Sequence, residues 1–340
     1  MQLKRLSEID TSRWDAYVKS HERGTFFHLS GWQRIIEQVF GHPTYYYLVE
    51  EAGHIRGLLP LAHVKSFLFG NALSSLPFCV YGGVLADSRE AADLLEKAAI
   101  EQATTLNVDH LELKHIVAQH DDWPVKELYV TFRKEIDPDV EQNLKNIPRK
   151  QRAMVRKGIN AGLTAEIDDI VDRFYEAYAQ SVHALGTPVF PKRYFQVIKE
   201  VFAEQCDILT ITKDGQLVAS VMNFYFKDEV LPYYGGGTPA ARAVKGNDFM
   251  YWELMRRACE KGIKVFDYGR SKKGTGAYSF KKNWGFEPTP LHYEYYLINA
   301  QQMPDINPMN PKYQFFIKAW KKMPLWSTKM VGPHLVKYLG

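Results

Sequence analysis

A chain of 340 residues is long enough for two domains that each bury a core, and a composition of 46% hydrophobic and 24% charged residues excludes a disordered protein. Its 43 basic and 39 acidic residues leave a formal net charge of only +4, so total charge does not argue for nucleic-acid binding. Three widely spaced cysteines, Cys79, Cys206 and Cys259, give neither a disulfide framework nor a zinc pattern and fit a reducing compartment.

The first ten residues mix charges where a signal peptide needs an apolar core, and no uninterrupted apolar run reaches membrane-spanning length. A cytoplasmic location is expected. After an opening strand and a helix over Trp32 to Phe40, apolar or alternating runs predict strands at Thr44 to Glu50, Ile55 to Lys65 and Leu76 to Leu85. An amphipathic helix over Glu90 to Leu106 and strands at Val108 to Lys114 and Leu128 to Lys134 complete a first α/β unit, placed at residues 1–137.

The same grammar returns in residues 138–304. Helices at Arg149 to Ala161, Val171 to Leu185 and Lys192 to Ala203 precede strands at Asp207 to Lys213, Leu217 to Phe226 and Glu229 to Tyr234, with a turn at Asp214-Gly215. Asp248 is placed as the cap of a helix over Phe249 to Glu260, which Gly262 ends, and a strand over Lys264 to Tyr268 follows. This order suits an acyltransferase-type fold of the GNAT class. The expected class is therefore α/β, two tandem GNAT-like domains with a C-terminal helical tail at 305–340.

The chemistry-bearing residues gather after that last strand. Gly269-Arg-Ser271 leads into a glycine-punctuated stretch, and Lys281 and Lys282 then sit among Tyr278, Phe280 and Trp284. Burial and a like-charged neighbour would both favour a neutral amine there. Surface lysines flanking a buried strand are the bland reading of the same spacing. Arg270 and Ser271 leave a strand end, where ligands of α/β sheets are commonly met.

Arg149, Arg152 and Arg156 fall in a narrow sector of one helix, a stripe suited to phosphate or to plain solvation. Gly235-Gly-Gly237, ahead of a helix N-terminus, offers a backbone that could approach phosphate. His183 and Gly186-Thr-Pro188 could border an acceptor pocket, although a lone histidine late in a helix is more often structural. His110, His115 and His120 have spacings unsuited to one metal face, so no metal is expected. From Ile306 onward there is no acid, while Lys312, Lys318, Lys321, Lys322, Lys329 and Lys337 alternate with Tyr313, Phe315, Phe316, Trp320 and Trp326. Such a tail suits an anionic membrane surface, making the protein peripheral to the inner membrane, or a helix docked through its aromatics.

Tyr278, Phe280-Lys281 and Trp284-Gly285, with Thr25 to Trp32, the basic run Arg149 to Gly158 and Tyr233-Tyr-Gly-Gly-Gly237, resemble the Fem-type transferases, which attach amino acids from aminoacyl-tRNA to cell-wall precursors. Gly186-Thr-Pro188, Asp267 to Ser271 and His292 to Tyr296 are most similar to a branch found beside exosortase and PEP-CTERM systems and associated with exopolysaccharide export. The resemblance implies two GNAT-like halves and acyl or aminoacyl transfer to an amine of a cell-envelope or exopolysaccharide precursor. It implies that Lys281 stabilises charge developing on oxygen and that the Phe280 carbonyl orients the amine. Tyr234, Arg270, Ser271 and Tyr278 would line the pocket, and Arg152 or Arg156 would grip the phosphate of a sugar- or lipid-linked acceptor. No permanent cofactor is implied; aminoacyl-tRNA or acyl-CoA is the donor, and tRNA enters only as donor. The sequence Arg242 to Asp248 departs from the acyl-CoA loop of GNAT enzymes, so N-acylation of a sugar from acyl-CoA is an alternative, and a non-catalytic membrane scaffold is another.

Overall fold

The computed structural model describes residues 1–66, 70–304 and 311–339. In chain order the first elements are β1 (Gln2–Arg5), α1 (Thr11–Ser20), α2 (Gly31–Phe40), β2 (Thr44–Glu51), β3 (His54–Ser66), β4 (Gly70–Ser74), β5 (Leu85–Ala86), α3 (Arg89–Thr105), β6 (His110–His115) and β7 (Tyr129–Thr131). There follow β8 (Arg133–Glu135), α4 (Val140–Asn146), α5 (Arg149–Asn160), β9 (Thr164–Ile167), α6 (Asp172–Leu185), α7 (Lys192–Phe202), β10 (Cys206–Lys213), β11 (Gln216–Phe226) and β12 (Glu229–Gly237). The last are α8 (Ala241–Val244), α9 (Gly246–Glu260), β13 (Val265–Asp267), β14 (Ser271–Lys272), α10 (Gly276–Asn283), β15 (Thr289–Pro290), β16 (His292–Leu297), α11 (Pro311–Lys322) and α12 (Leu325–Val336).

Two compact units result, one of residues 1–129 with 290–304 and 337–339, the other of residues 130–289 with 311–336. The first sheet runs β1-β2-β3-β4-β6-β16, with β5 beside β3. Its one parallel pair, β4 with β6, is bridged by α3, whose Leu95, Ala98, Ala99 and Ala103 pack into a core with Val49, Leu59, Leu61 and Leu111. Ser88 caps that helix, its side chain accepting from the Ala91 amide at 3.2 Å.

The second sheet runs β8-β13-β12-β11-β10-β9 and repeats the device. Here β12 and β13 are the parallel pair and α9 is the crossover, burying Met250, Leu254, Met255 and Ala258 against Leu209, Ile211, Val221 and Phe266. The β10–β11 hairpin closes through Asp214 and Gly215, both left-handed with φ of 50° and 76°, as a two-residue turn matched to strand twist requires.

Four expectations are corrected by these elements. The apolar run Leu76 to Leu85 forms a strand only at its end, because Leu76 (φ 62°) and Phe78 (φ 69°) flank Pro77 in left-handed conformations that no β ladder accepts. The helix expected from Phe249 begins at Gly246, so Asp248 lies in its first turn, where its carboxylate accepts a short hydrogen bond from the Gln151 amide. His292 to Tyr296, assigned to residues 138–304, is instead the closing strand of the first unit. Its register on β6 pairs Tyr295 with Glu112, and the Tyr293 hydroxyl reaches the Val80 carbonyl at 2.6 Å. The boundary near Asp137-Pro138 likewise moves, since β8 pairs antiparallel with β13 inside the second unit.

The tail expected at 305–340 is not a separate body. Residues 305–310 and the side chains of Lys312 and Tyr313 lie outside the described residues, but α11 and α12 pack on α6 of the second unit.

Candidate active site

The site is built on the C-terminal end of β13. The β12–β13 ladder holds only Glu229 to Val265 and Val230 to Phe266, after which β12 continues to Gly237 while β13 ends at Asp267. The chain then turns at Gly269, whose φ of 64° suits glycine. Asp267 stabilises that turn from a fully buried position, its Oδ1 accepting the Gly269 amide at 2.7 Å and the Thr131 hydroxyl at 3.4 Å, with Arg133 Nε 3.7 Å from Oδ2.

The turn aims successive backbone carbonyls at one point, and Lys281 occupies it. Its Nζ donates to the carbonyls of Tyr268 at 2.7 Å, Gly269 at 2.9 Å and Arg270 at 3.1 Å. All three donors of an ammonium are thereby used, and the Phe132 ring lies 5.6 Å from Nζ. Burial pushes the Lys281 amine down to about 7; the Asp267 carboxylate opposes the shift and Arg270 adds to it. No carboxylate lies within ion-pair distance among the described residues.

The two adjacent lysines part company because α10 separates neighbours by about 100°. Thr275 caps this helix, accepting from the Tyr278 amide at 3.3 Å, and the inner face so defined carries Lys281 and Trp284. Lys282 is exposed, 6.0 Å above the Tyr278 ring. The depressed Lys281 pKa therefore comes from burial and Arg270 instead of from the neighbouring lysine that the sequence suggested.

Other expected residues distribute around this centre. Tyr278 meets Phe132 edge-on at 5.4 Å, so one ring contacts both Tyr278 and Lys281. Phe280 packs with Tyr251 and Trp284. Its carbonyl accepts the Trp284 amide at 3.2 Å, which leaves one lone pair for an incoming amine. Arg270 is half-buried and Ser271 buried. Among the described residues, Ser271 Oγ, Tyr268 Oη and Trp284 Nε1 are buried and find no hydrogen-bond partner, an uncommon state for donors that a bound polar group would relieve.

Tyr234 lies on the part of β12 beyond its pairing with β13, and its hydroxyl shares a 2.9 Å hydrogen bond with that of Tyr194 within a cluster including Phe190 and Phe195. On α5, Val155 and Gly158 face inward while Arg149 and Arg156 are exposed. Arg152 donates to the Lys145 carbonyl at the end of α4, at 3.1 Å. His183 is structural as expected, reaching the Met323 carbonyl at 2.9 Å. In the first unit, His115 and His120 approach the buried Glu294 at 3.8 and 2.7 Å, closer together than their spacing suggested.

The triple glycine serves packing. A Cβ at Gly236 would lie 2.6 Å from the Ala177 carbonyl oxygen of α6, and one at Gly237 would lie 2.6 Å from the Asn247 side chain. Asp248 places a carboxyl in the first turn of α9, half-buried and with its pKa raised by burial against the opposing Gln151 hydrogen bond. Close packing thus accounts for the glycines that the sequence offered as a phosphate-binding backbone. Sequence reasoning missed Phe132 and Tyr251; both sit in apolar runs whose periodicity marks them only as core.

A family model described as an acetyltransferase (GNAT) domain matches residues 142–282, the stretch that contains α5 and Lys281. The chain folds as two tandem GNAT-like domains. Among solved structures, FemX superposes with a TM-score of 0.68 at 16% identity over 93% of this chain and all of that one. The C-terminal domain of a putative lysylphosphatidylglycerol synthetase from Agrobacterium fabrum gives 0.58 at 13% identity, over 84% and 91% of the two chains. A tandem GNAT protein from the clavulanic acid biosynthesis pathway gives 0.53 at 12% identity, over 86% and 97%. These likenesses are of fold. No curated protein sequence matches the chain. The matched domain supports acyl transfer by the second unit, and no described helix is long and apolar enough to cross a membrane.

Proposed function

We propose that the second unit transfers an aminoacyl group from an activated ester, carried by tRNA, to an amine of a phosphate-bearing envelope precursor, a sugar- or lipid-linked unit of exopolysaccharide assembly. The observation that carries this reading is Lys281, an almost fully buried amine held on three neutral carbonyls where β12 and β13 part. The acceptor nitrogen attacks the ester carbonyl carbon. The carbonyl oxygen takes up negative charge, the C–O bond then breaks, and a proton from the nitrogen ends on the departing alcohol as the amide forms. Lys281 is charged in the loaded site and exchanges its longest bond, to the Arg270 carbonyl, for the developing oxyanion; a charge-assisted donor in a dry site is worth more than one in water. The Phe280 carbonyl orients the amine, Tyr234, Tyr278, Arg270 and Ser271 line the pocket, and Arg156, with Arg152 after it leaves Lys145, holds the acceptor phosphate.

The Asp248 carboxyl in the first turn of α9 favours an aminoacyl ester over acyl-CoA, whose diphosphate it would oppose there. The test supplies the protein with carbon-14-labelled aminoacyl-tRNA or acetyl-CoA, together with a sugar-nucleotide extract, and counts label that survives ester-cleaving base. Base-stable label from aminoacyl-tRNA that Lys281→Met abolishes is expected. Label from acetyl-CoA alone would replace the donor; equal label with wild type and Lys281→Met would remove Lys281 from the reaction.

A further inference from the structure

The two C-terminal helices are bifacial. Their inner faces are held on the second unit: Trp320, Thr328, Gly332 and Val336 are buried, Lys329 Nζ pairs with Glu176 at 2.6 Å, and the Met323 carbonyl takes the His183 contact. Docking through aromatics therefore accounts for one side. On the other side Phe315 is 77% exposed, Trp326 67% and Met330 66%, with Val331 also outward, while Phe316 stacks on the buried Trp320 at 5.5 Å. Exposed Lys318, Lys321 and Lys322 accompany them on α11. Large apolar residues this accessible on two consecutive helices mark an interaction surface.

We infer that this outer face rests on an anionic lipid bilayer while the inner face stays docked. Two features choose a bilayer over a second copy of the chain. Lysines and aromatics are interleaved without any acid from residue 306 to the end, the arrangement that places indoles at the interface and ammonium groups on phosphate headgroups. A two-fold contact between copies would set this same basic, acid-free face against itself, and like charges facing each other oppose association. Membrane docking and structural docking, which the sequence presents as alternatives, are thus carried by opposite faces of the same helices. The reading is independent of the transfer chemistry assigned to Lys281.

Because the inner face is packed, deleting the tail would disturb folding, and the test changes outer-face residues only. Full-length protein is sedimented with vesicles of phosphatidylglycerol and phosphatidylcholine, or of phosphatidylcholine alone, at low and high salt. Binding to the anionic vesicles that weakens with salt is expected. Trp326→Ser with Met330→Ser, and separately Lys318→Glu with Lys322→Glu, should each lower it by at least about tenfold with an unchanged melting temperature. Wild-type binding equal to that of both variants, or no binding, would overturn the inference. So would concentration-dependent dimerisation lost in Trp326→Ser, which would assign the face to a second copy.

Discussion

Each unit buries a lysine, and the partners of the two lysines differ. Lys114 in the first unit is 1% exposed; its Nζ donates to the Leu76 carbonyl at 2.9 Å and faces Glu112 Oε2 at 3.5 Å. Burial would raise the Glu112 pKa, but Lys114, the Tyr295 hydroxyl at 2.5 Å and the Ser74 hydroxyl at 2.8 Å outweigh it and hold the carboxyl at about 2. That charge is neutralised inside the fold. Lys281 has neutral carbonyls as its hydrogen-bond partners, and burial pushes its amine down to about 7. A buried cation with a carboxylate beside it holds structure; one held only by carbonyls remains able to exchange a partner and to respond to charge arriving with a substrate.

Breaking the two sites should separate these roles. Lys114→Met leaves Glu112 buried with its charge uncompensated, and unfolding in urea should show a loss of about 3–5 kcal/mol. A loss below about 1 kcal/mol would mean that Glu112 simply protonates and that the pair is dispensable. Lys281→Met removes the donor from three carbonyls and should cost about 1–3 kcal/mol of stability. Its larger consequence is functional, a fall in transfer of at least about a hundredfold, while Lys282→Met stays near wild type. Comparable losses for the two adjacent lysines would contradict the division of labour made by α10.

Two smaller effects sharpen the contrast. Arg152→Ala combined with Arg156→Ala should weaken calorimetric binding of a uridine-diphosphate sugar by about 2 kcal/mol, with stability within about 0.5 kcal/mol of wild type. Unchanged affinity would reduce the stripe to a solvated face. The last effect concerns pH. A lysine whose folded pKa lies below its unfolded value binds fewer protons when folded, so stability rises with pH between about 7 and the ordinary lysine range. The stability of wild type relative to Lys281→Met should therefore improve across that window, by at most about 1.4 kcal/mol per pH unit. A flat difference would place the Lys281 pKa near that of an exposed lysine.

Much of this architecture was legible in residue order. Period-two runs and the Asp214-Gly215 turn mark the β10–β11 hairpin, and the Gly269-Arg-Ser271 stretch singled out in the sequence supplies two of the carbonyls that hold Lys281. Pairings between distant segments were not legible. Nothing local in His292 to Leu297 says that its partner is β6, because the Tyr295 to Glu112 contact joins segments far apart in sequence. The three carbonyls around Lys281 were likewise hidden, since they depend on the Gly269 turn and on which face of α10 is buried. Glycines 235–237 misled as a phosphate loop because close packing by α6 and Asn247 selects the same residue type as ligand approach does.

The most direct measurement is an NMR titration of the lysine side-chain nitrogens in the full chain, with Lys281 assigned by its loss in Lys281→Met. The Lys281 signal is expected to move through a transition near pH 7, whereas exposed lysines titrate at about 10. A Lys281 signal that stays in the ammonium position up to pH 10 would contradict it.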